Sequence, residues 1–282
     1  MSEQVQIHRV FDNVHAHQRI ADLIQRYSTN KRGVHRTALE GLDLTACRSI
    51  LDLGCAFGSF TEKLKGRVGP TATATGVDAV RAYEPLYLAA CERTGIRGRF
   101  FPSGISVLGS FAERSCDLIL CSYALYFFPE AVPEIARLLH DDGVFIAITH
   151  HRRNTGELIR LTKKTLDAIG LYHEKHLPLE IITSRFSSEN GLGLLQPWFG
   201  GIRRIDFPNR LVFPKEEIES LTEYFRFKSP LYFTDTGLDM DALIPTVLEQ
   251  ITRAALQQNG MSIAKDDCIF VCTLPRQGKE KA

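Results

Sequence analysis

Between residues 49 and 150 the chain alternates short apolar runs with longer amphipathic ones. Ile50–Leu53, Ala74–Asp78, Gly98–Pro102, Asp117–Ser122 and Val144–His150 have the length and apolar content of buried strands. Phe60–Lys65, Tyr83–Arg93 and Pro133–His140 read as helices between them. This alternation predicts an α/β fold, a parallel sheet with helices on both faces and right-handed crossovers.

The flanking segments are patterned differently. Val14–Tyr27 carries Ile20, Leu23 and Ile24 at helical spacing, a turn follows at 28–33, and Val34–Leu42 reads as a second helix, so residues 1–47 are expected to form a helical cap. After 150, Gly156–Ile169 is helix-like and stops at Gly170. The stretch that follows is rich in turn formers (Asn190-Gly191, Pro197, Gly200-Gly201, Pro208, Pro214) and holds the only Trp, Trp198. Long loops in a compact domain tend to be functional lids, so 151–215 is read as a substrate-covering insertion. In 216–282, Lys215–Tyr224 reads as helix and Phe225–Phe233 as extended. Leu243, Ile244, Val247, Leu248, Ile251 and Ala255 form a helical stripe, and Cys268–Thr273 is a strand. The polar tail from Arg276 is expected to be disordered.

Composition narrows the classes. The 282 residues are 44% hydrophobic and 24% charged, an ordinary globular balance. A net charge of +1 provides no phosphate-binding footprint, so no nucleic-acid partner is expected. No apolar run approaches the roughly 18 residues of a membrane span, and Met1–Val10 is polar, which points away from a membrane or a leader peptide. Seven cysteines without a Cys-x-x-Cys pair suit core packing in a reducing cytoplasm. His15, His17 and His35 read as solvated helix residues, and no metal is expected. Oligomeric state is not legible.

The chemistry concentrates where the first strand ends. Ile50–Leu53 runs into Gly54, a second glycine follows at Gly58, and the segment after it is helix-like. A tight turn there presents backbone N–H groups to a polar ligand. Asp78 lies 24 residues beyond Gly54, at the tip of the second strand, where an acid can accept hydrogen bonds from ribose hydroxyls. Its competing reading is a helix N-cap.

Leu51-Asp52-Leu53-Gly54-Cys55-Ala56-Phe57-Gly58 resembles motif I of the class I S-adenosylmethionine-dependent methyltransferases. Gly76-Val77-Asp78, Cys116–Ser122 and Arg137–Ile146 resemble their second-, fourth- and fifth-strand motifs, in the right order. Two departures are Ala56 in place of the central glycine and Asp142-Gly143 in place of Gly-Gly. The resemblance implies a doubly wound, mostly parallel, seven-stranded Rossmann-like sheet whose last strand is antiparallel. It implies a core at 48–150 that binds S-adenosyl-L-methionine, with 216–282 completing the sheet. Carried over residue by residue, the cofactor would meet Asp52, Gly54, Cys55, Ala56 and Gly58, then Asp78 and Ala79, then Gly104 and Ile105 beside the adenine. Cys121 and Ser122 would face its amino end, with Tyr27 and Arg32 closing from the cap.

Methyl transfer from a sulfonium needs the acceptor held in line, about 3–3.5 Å away and out of water, with a general base if the acceptor is a hydroxyl. His150 and His151 close the fifth strand at the edge where ligands bind, and are the candidate bases; Tyr126 is placed to line the transfer channel. Residues 151–215 hold eleven Lys/Arg against six Asp/Glu. Arg152-Arg153 and Arg203-Arg204, near Trp198, would suit an anionic small molecule with an apolar or aromatic body, with Tyr126, Arg152, Trp198 and Arg203 as its contacts. Three rival readings exist. A nicotinamide oxidoreductase requires Gly-x-Gly-x-x-Gly, which residues 54–59 lack. An RNA or DNA methyltransferase of the exocyclic-nitrogen type carries Asn/Asp-Pro-Pro-aromatic where Cys121-Ser122-Tyr123-Ala124 stands. A non-catalytic nucleotide-binding protein of the same fold is disfavoured by Gly54, Gly58 and Asp78.

Overall fold

The apolar runs become the strands of one seven-stranded sheet. In the computed structural model, which describes residues 10–171, 176–234 and 236–276, β1 is Ser49–Leu53, β2 Thr73–Asp78, β3 Arg97–Pro102, β4 Cys116–Ser122 and β5 Leu139–His150. The remaining strands of the sheet are β6 (Phe199–Phe207) and β9 (Asp267–Pro275), and the order is β3-β2-β1-β4-β5-β9-β6. Strands β1 to β5 pair in parallel, while β9 lies antiparallel to both β5 and β6. The order reverses between β1 and β4, so a ligand crevice opens at their carboxyl ends.

The chain divides into two units. The one holding this sheet comprises Arg32–His150, Ser184–Phe207 and Asp267–Ala282. Its core packs Ile50, Leu118, Leu120, Ile146, Ile148 and Ile269 on one face of the sheet, with short α2 (Val34–Ala38), α3 (Glu84–Thr94), α4 (Val132–Leu138) and α7 (Gly191–Leu195) around it.

The second unit comprises Met1–Lys31, His151–Thr183 and Pro208–Asp266. Its helices are α1 (Val14–Tyr27), α5 (Gly156–Ala168), α6 (Pro178–Ser184), α8 (Ile218–Phe233) and α9 (Met240–Gln257). Asn13 caps α1 through the Ala16 N–H at 2.9 Å, and Asp239 caps α9 through the Asp241 N–H at 3.1 Å. A two-stranded antiparallel ribbon, β7 (Arg210–Pro214) with β8 (Gly260–Ala264), completes it. Leu243, Val247, Leu248, Ile251 and Ala255 of the α9 stripe lie in one core with Leu221, Tyr224 and Phe225 of α8 and Leu158 and Leu166 of α5. Among the described residues no helix is long and apolar enough to cross a membrane.

Several local expectations change. The helix expected at 60–65 is a single 3₁₀ turn, Thr61–Leu64. Phe225–Phe233 is not extended but the second half of α8, because Leu221, Tyr224, Phe225 and Tyr232 are buried at helical spacing and Pro230 falls near the helix end. The turn-rich stretch contains β6, whose partner is some 70 residues away in β9 and cannot be seen in local composition. The stretch 151–215 is thus split between the two units rather than forming one segment, and residues 1–47 divide at Lys31. His17 is not a solvated residue: its ring stacks on Phe227 at 5.5 Å, and burial, with Lys228 nearby, pulls its imidazole down to about 3. All seven cysteines are free and buried. Met1–Arg9 and the tail from 277 lie outside the described residues.

Asp52, the last but one residue of β1, is 2% exposed and accepts the Thr61 hydroxyl at 2.7 Å. Burial pushes its carboxyl up to about 7, against the Thr61 hydrogen bond and with Asp78 adding to the rise. The unfolded chain titrates near 3.9, so the folded state holds the proton more tightly. The stability this confers is full below about pH 4 and is lost as pH rises through about 7. Asp52→Asn should therefore unfold at higher urea than wild type at pH 8, by roughly 1–3 kcal/mol, and the gap should close by pH 4. A gap that stays constant between these pH values would show that Asp52 is ionised in the folded protein.

Candidate functional site

The turn after β1 is fixed by its lack of room. Gly54 has φ 64° and Gly58 φ 81°. A Cβ on Gly54 would lie 2.4 Å from the Ala124 Cβ, and one on Gly58 2.7 Å from the Ala90 Cβ. The Gly54 N–H continues the ladder to the Val77 carbonyl at 2.8 Å. Ala56 has φ 44°, a conformation that costs a non-glycine residue about 1–2 kcal/mol. Its N–H donates to Asp78 Oδ2 at 3.0 Å, and this charge-assisted bond offsets the strain.

Asp78 ends β2 as expected and is half-buried. Its other oxygen accepts the Val80 N–H at 2.9 Å. One oxygen thus holds the turn that follows β2, as a capping residue would, and the other ties that turn to the glycine turn. Ala79 beside Asp78 is exposed. Gly104 and Ile105 open a 3₁₀ segment after β3, with Gly104 exposed and Ile105 half-buried.

The other predicted cofactor residues sort by environment. The Asp52 carboxylate is committed to Thr61 in the interior. The thiols of Cys55 and Cys121 are buried, and burial raises both, so only their backbone groups can face a ligand. Ser122 ends β4, and its hydroxyl lies 2.9 Å from His35 Nε2. The His35 ring stacks on Phe60 at 4.6 Å, so it is not the solvated residue expected from sequence. Arg32 pairs with Glu40 at 2.6 Å. Tyr27 belongs to the other unit, where its ring meets Phe213 at 4.5 Å and its hydroxyl meets Ser220 at 3.1 Å.

The two candidate histidines separate sharply. His150, 6% exposed, sets Nδ1 2.8 Å from Asp267 Oδ1. Tyr123 donates its hydroxyl to Asp267 Oδ2 at 2.8 Å and stacks on the His150 ring at 4.6 Å and 23°. Tyr126, also buried, lies parallel to the same ring at 6.0 Å. Tyr123 holds this position at φ 55°, a strained conformation for an aromatic residue. The Ser188 N–H donates to the His150 carbonyl at 3.0 Å, while its buried hydroxyl has no partner among the described residues. His151 belongs to the other unit, is half-exposed, and accepts the Arg153 N–H on Nδ1 at 3.1 Å. Sequence reasoning missed Asp267, Tyr123 and Ser188. A signal existed for the first: an acid opens the final strand, opposite the end of strand five in an antiparallel pairing.

Arg203 and Arg204, read from the sequence as suited to an anion, are consecutive residues of β6. Neighbours on a strand point to opposite faces. Arg204 turns to Asp206 at 2.8 Å, and Arg203 donates to the Glu40 carbonyl at 3.1 Å. Arg203 borders a surface groove of about 420 Å³ with Gly41, Leu42 and Ile202. Trp198 is half-exposed just before β6. Arg152 is exposed in the second unit.

Comparison with known proteins agrees with this geometry. Residues 50–143 match the family model described as a methyltransferase domain. The uncharacterized methyltransferase YcgJ of Bacillus subtilis (strain 168) is 32% identical over 79 residues, 27% of this chain and 31% of that protein. The alignment thus spans about a third of that curated relative. The crystal structure of YcgJ is similar with a TM-score of 0.52 at 18% identity, over 86% of this chain and 97% of that chain. A putative methyltransferase from Bacillus halodurans C-125 also scores 0.52, at 11% identity, over 87% and 99%. The family match falls on the glycine turn, Asp78 and β4, so residues 50–143 carry a methyltransferase domain, and the sheet around them has the doubly wound order β3-β2-β1-β4-β5-β9-β6.

Proposed function

We propose that this chain transfers a methyl group from S-adenosylmethionine to a small-molecule acceptor at the carboxyl edge of β1, β2, β4 and β5. The observation that carries the reading is Asp78, held at the tip of β2 by the Ala56 and Val80 N–H groups beside a turn that excludes side chains. The residues present fit the cofactor: a glycine-lined cradle for its polar end and an oriented carboxylate for its ribose. Asp78 would hold the ribose hydroxyls, the backbone of 54–58 and Ser122 the amino-acid end, and Gly104 and Ile105 the adenine. When bound, the sulfonium supplies a methyl group activated for in-line displacement. The chain's part is to position the acceptor, keep water out and remove a proton where the acceptor carries one.

His150, Tyr123 and Tyr126 lie at the end of β5 and just beyond β4, and together supply a buried base with aromatic walls. They favour an acceptor with an apolar or aromatic body. For an anionic group on the acceptor, Arg203 of the same unit would stand as a single cation, since Arg204 turns to Asp206.

Asp78→Ala should weaken S-adenosylmethionine binding ten- to a hundredfold by calorimetry, roughly 1.5–3 kcal/mol, with the fold intact by circular dichroism. Unchanged affinity would remove the cofactor assignment. Gly58→Ala should be harsher, because its Cβ meets Ala90 and its φ is left-handed. It is expected to lose at least about 2 kcal/mol of stability in urea unfolding, together with measurable cofactor binding. A variant as stable as wild type would mean that the turn is not constrained as described.

A further inference from the structure

Resting on the methyl-transfer reading, we propose that Asp267 is a positioning residue that fixes His150 in one tautomer as the base for an acceptor hydroxyl, which makes the reaction an O-methylation. A carboxylate only accepts hydrogen bonds, so the 2.8 Å contact requires the proton on His150 Nδ1. The neutral ring then carries its lone pair on Nε2. Asp267 is anchored independently of the histidine. It opens β9 directly opposite His150 in the β5–β9 register, and the Tyr123 hydroxyl occupies its second oxygen at 2.8 Å. The strained backbone of Tyr123 lays its ring on the imidazole at 4.6 Å, so both the plane and the tautomer of the base are set.

This much preparation suits one class of acceptor. A neutral amine attacks through its own lone pair and sheds its proton afterwards, and a thiol ionises at about pH 8.5, far more readily than an alcohol. A hydroxyl needs its proton taken as it attacks. In that step the oxygen–methyl bond forms, the carbon–sulfur bond breaks with its electron pair going to sulfur, and the hydroxyl proton passes to His150 Nε2. The imidazolium so formed is offset by the Asp267 carboxylate. Ser188, whose amide bonds the His150 carbonyl, adds a buried hydroxyl that no described residue satisfies and that a second polar group of the acceptor would satisfy.

The test uses the full chain with ¹⁵N-labelled histidine, His150 being assigned with His150→Gln. At pH 7.5 the wild type should show a protonated Nδ1 and an unprotonated Nε2, and Asp267→Asn should raise the Nε2–H population at least tenfold. Calorimetry should find S-adenosylhomocysteine binding unchanged within twofold in both variants. Tritium carried from [methyl-³H]-S-adenosylmethionine into a small-molecule extract should be recovered as a base-stable methyl ether. Its rate should fall at least a hundredfold in His150→Gln and ten- to a hundredfold in Asp267→Asn, with recovery in Asp267→Glu. The acidic limb of the pH–rate profile should move to lower pH in Asp267→Asn, as the imidazolium loses its counter-charge. A clamp with only a structural role would instead lower thermal stability and leave that limb in place. The proposal is overturned by a wild-type His150 protonated on Nε2, by an unmoved pH limb, by label on nitrogen, sulfur or carbon, or by no transfer while S-adenosylhomocysteine still binds. Failure of the wild type to bind S-adenosylhomocysteine would overturn the cofactor reading instead.

Discussion

The inner side of the turn between Leu53 and Gly58 has no space for a side chain, and the site is arranged around that exclusion. Ala124, just beyond β4, sits against Gly54, and Ala90 of α3 sits against Gly58. Each contact draws an element inward until it touches backbone, so β1, β4 and α3 meet closely at one corner of the sheet. Close backbone approach leaves N–H groups that only a polar partner can satisfy. Asp78 meets one of them, and the same carboxylate anchors the turn after β2. Ala56, in a conformation better suited to glycine, is retained by that bond.

The antiparallel strand β9 is the second organising element. Inserted between β5 and β6, it carries alternate residues into both faces of the core, with Ile269 and Val271 in the cluster that holds Leu118 and Ile146. Its first residue falls opposite the last residue of β5. A parallel strand in that place would present its other end to His150. The reversal of direction thus brings Asp267 and the imidazole together, and it explains how a residue 117 positions away completes a buried pair. Two carboxylates in the same unit have contrasting roles. Asp52, with one hydroxyl partner, is pushed toward its protonated form by burial. Asp267 instead has two partners, a ring nitrogen on one oxygen and a phenol on the other.

What the sequence by itself determined was local and periodic. Four-to-seven-residue apolar runs must be buried, and their alternation with helices admits little besides a parallel sheet. Gly54, Gly58 and Asp78 were legible because a left-handed turn and an acid at a strand tip are properties of single residues at fixed spacing. His150 was legible as a position, the last residue of a strand at the ligand-bearing edge. The stripe of α9 was legible because 3.6-residue periodicity is written in the chain.

Tertiary structure decided whatever depended on a distant partner. Gly200 and Gly201 read as turn formers, yet β6 forms because β9 offers it a ladder. Phe225–Phe233 is helical because its rings fill a core that also contains Leu158 and Val247. Which of His150 and His151 is buried was likewise closed to sequence, since the two are adjacent and identical in type. The ring that Asp267 and Tyr123 enclose is that of His150. Spacing along the chain fixes which backbone conformations are available, but hydrogen-bond partners and burial are set by the register between strands, which no local window contains.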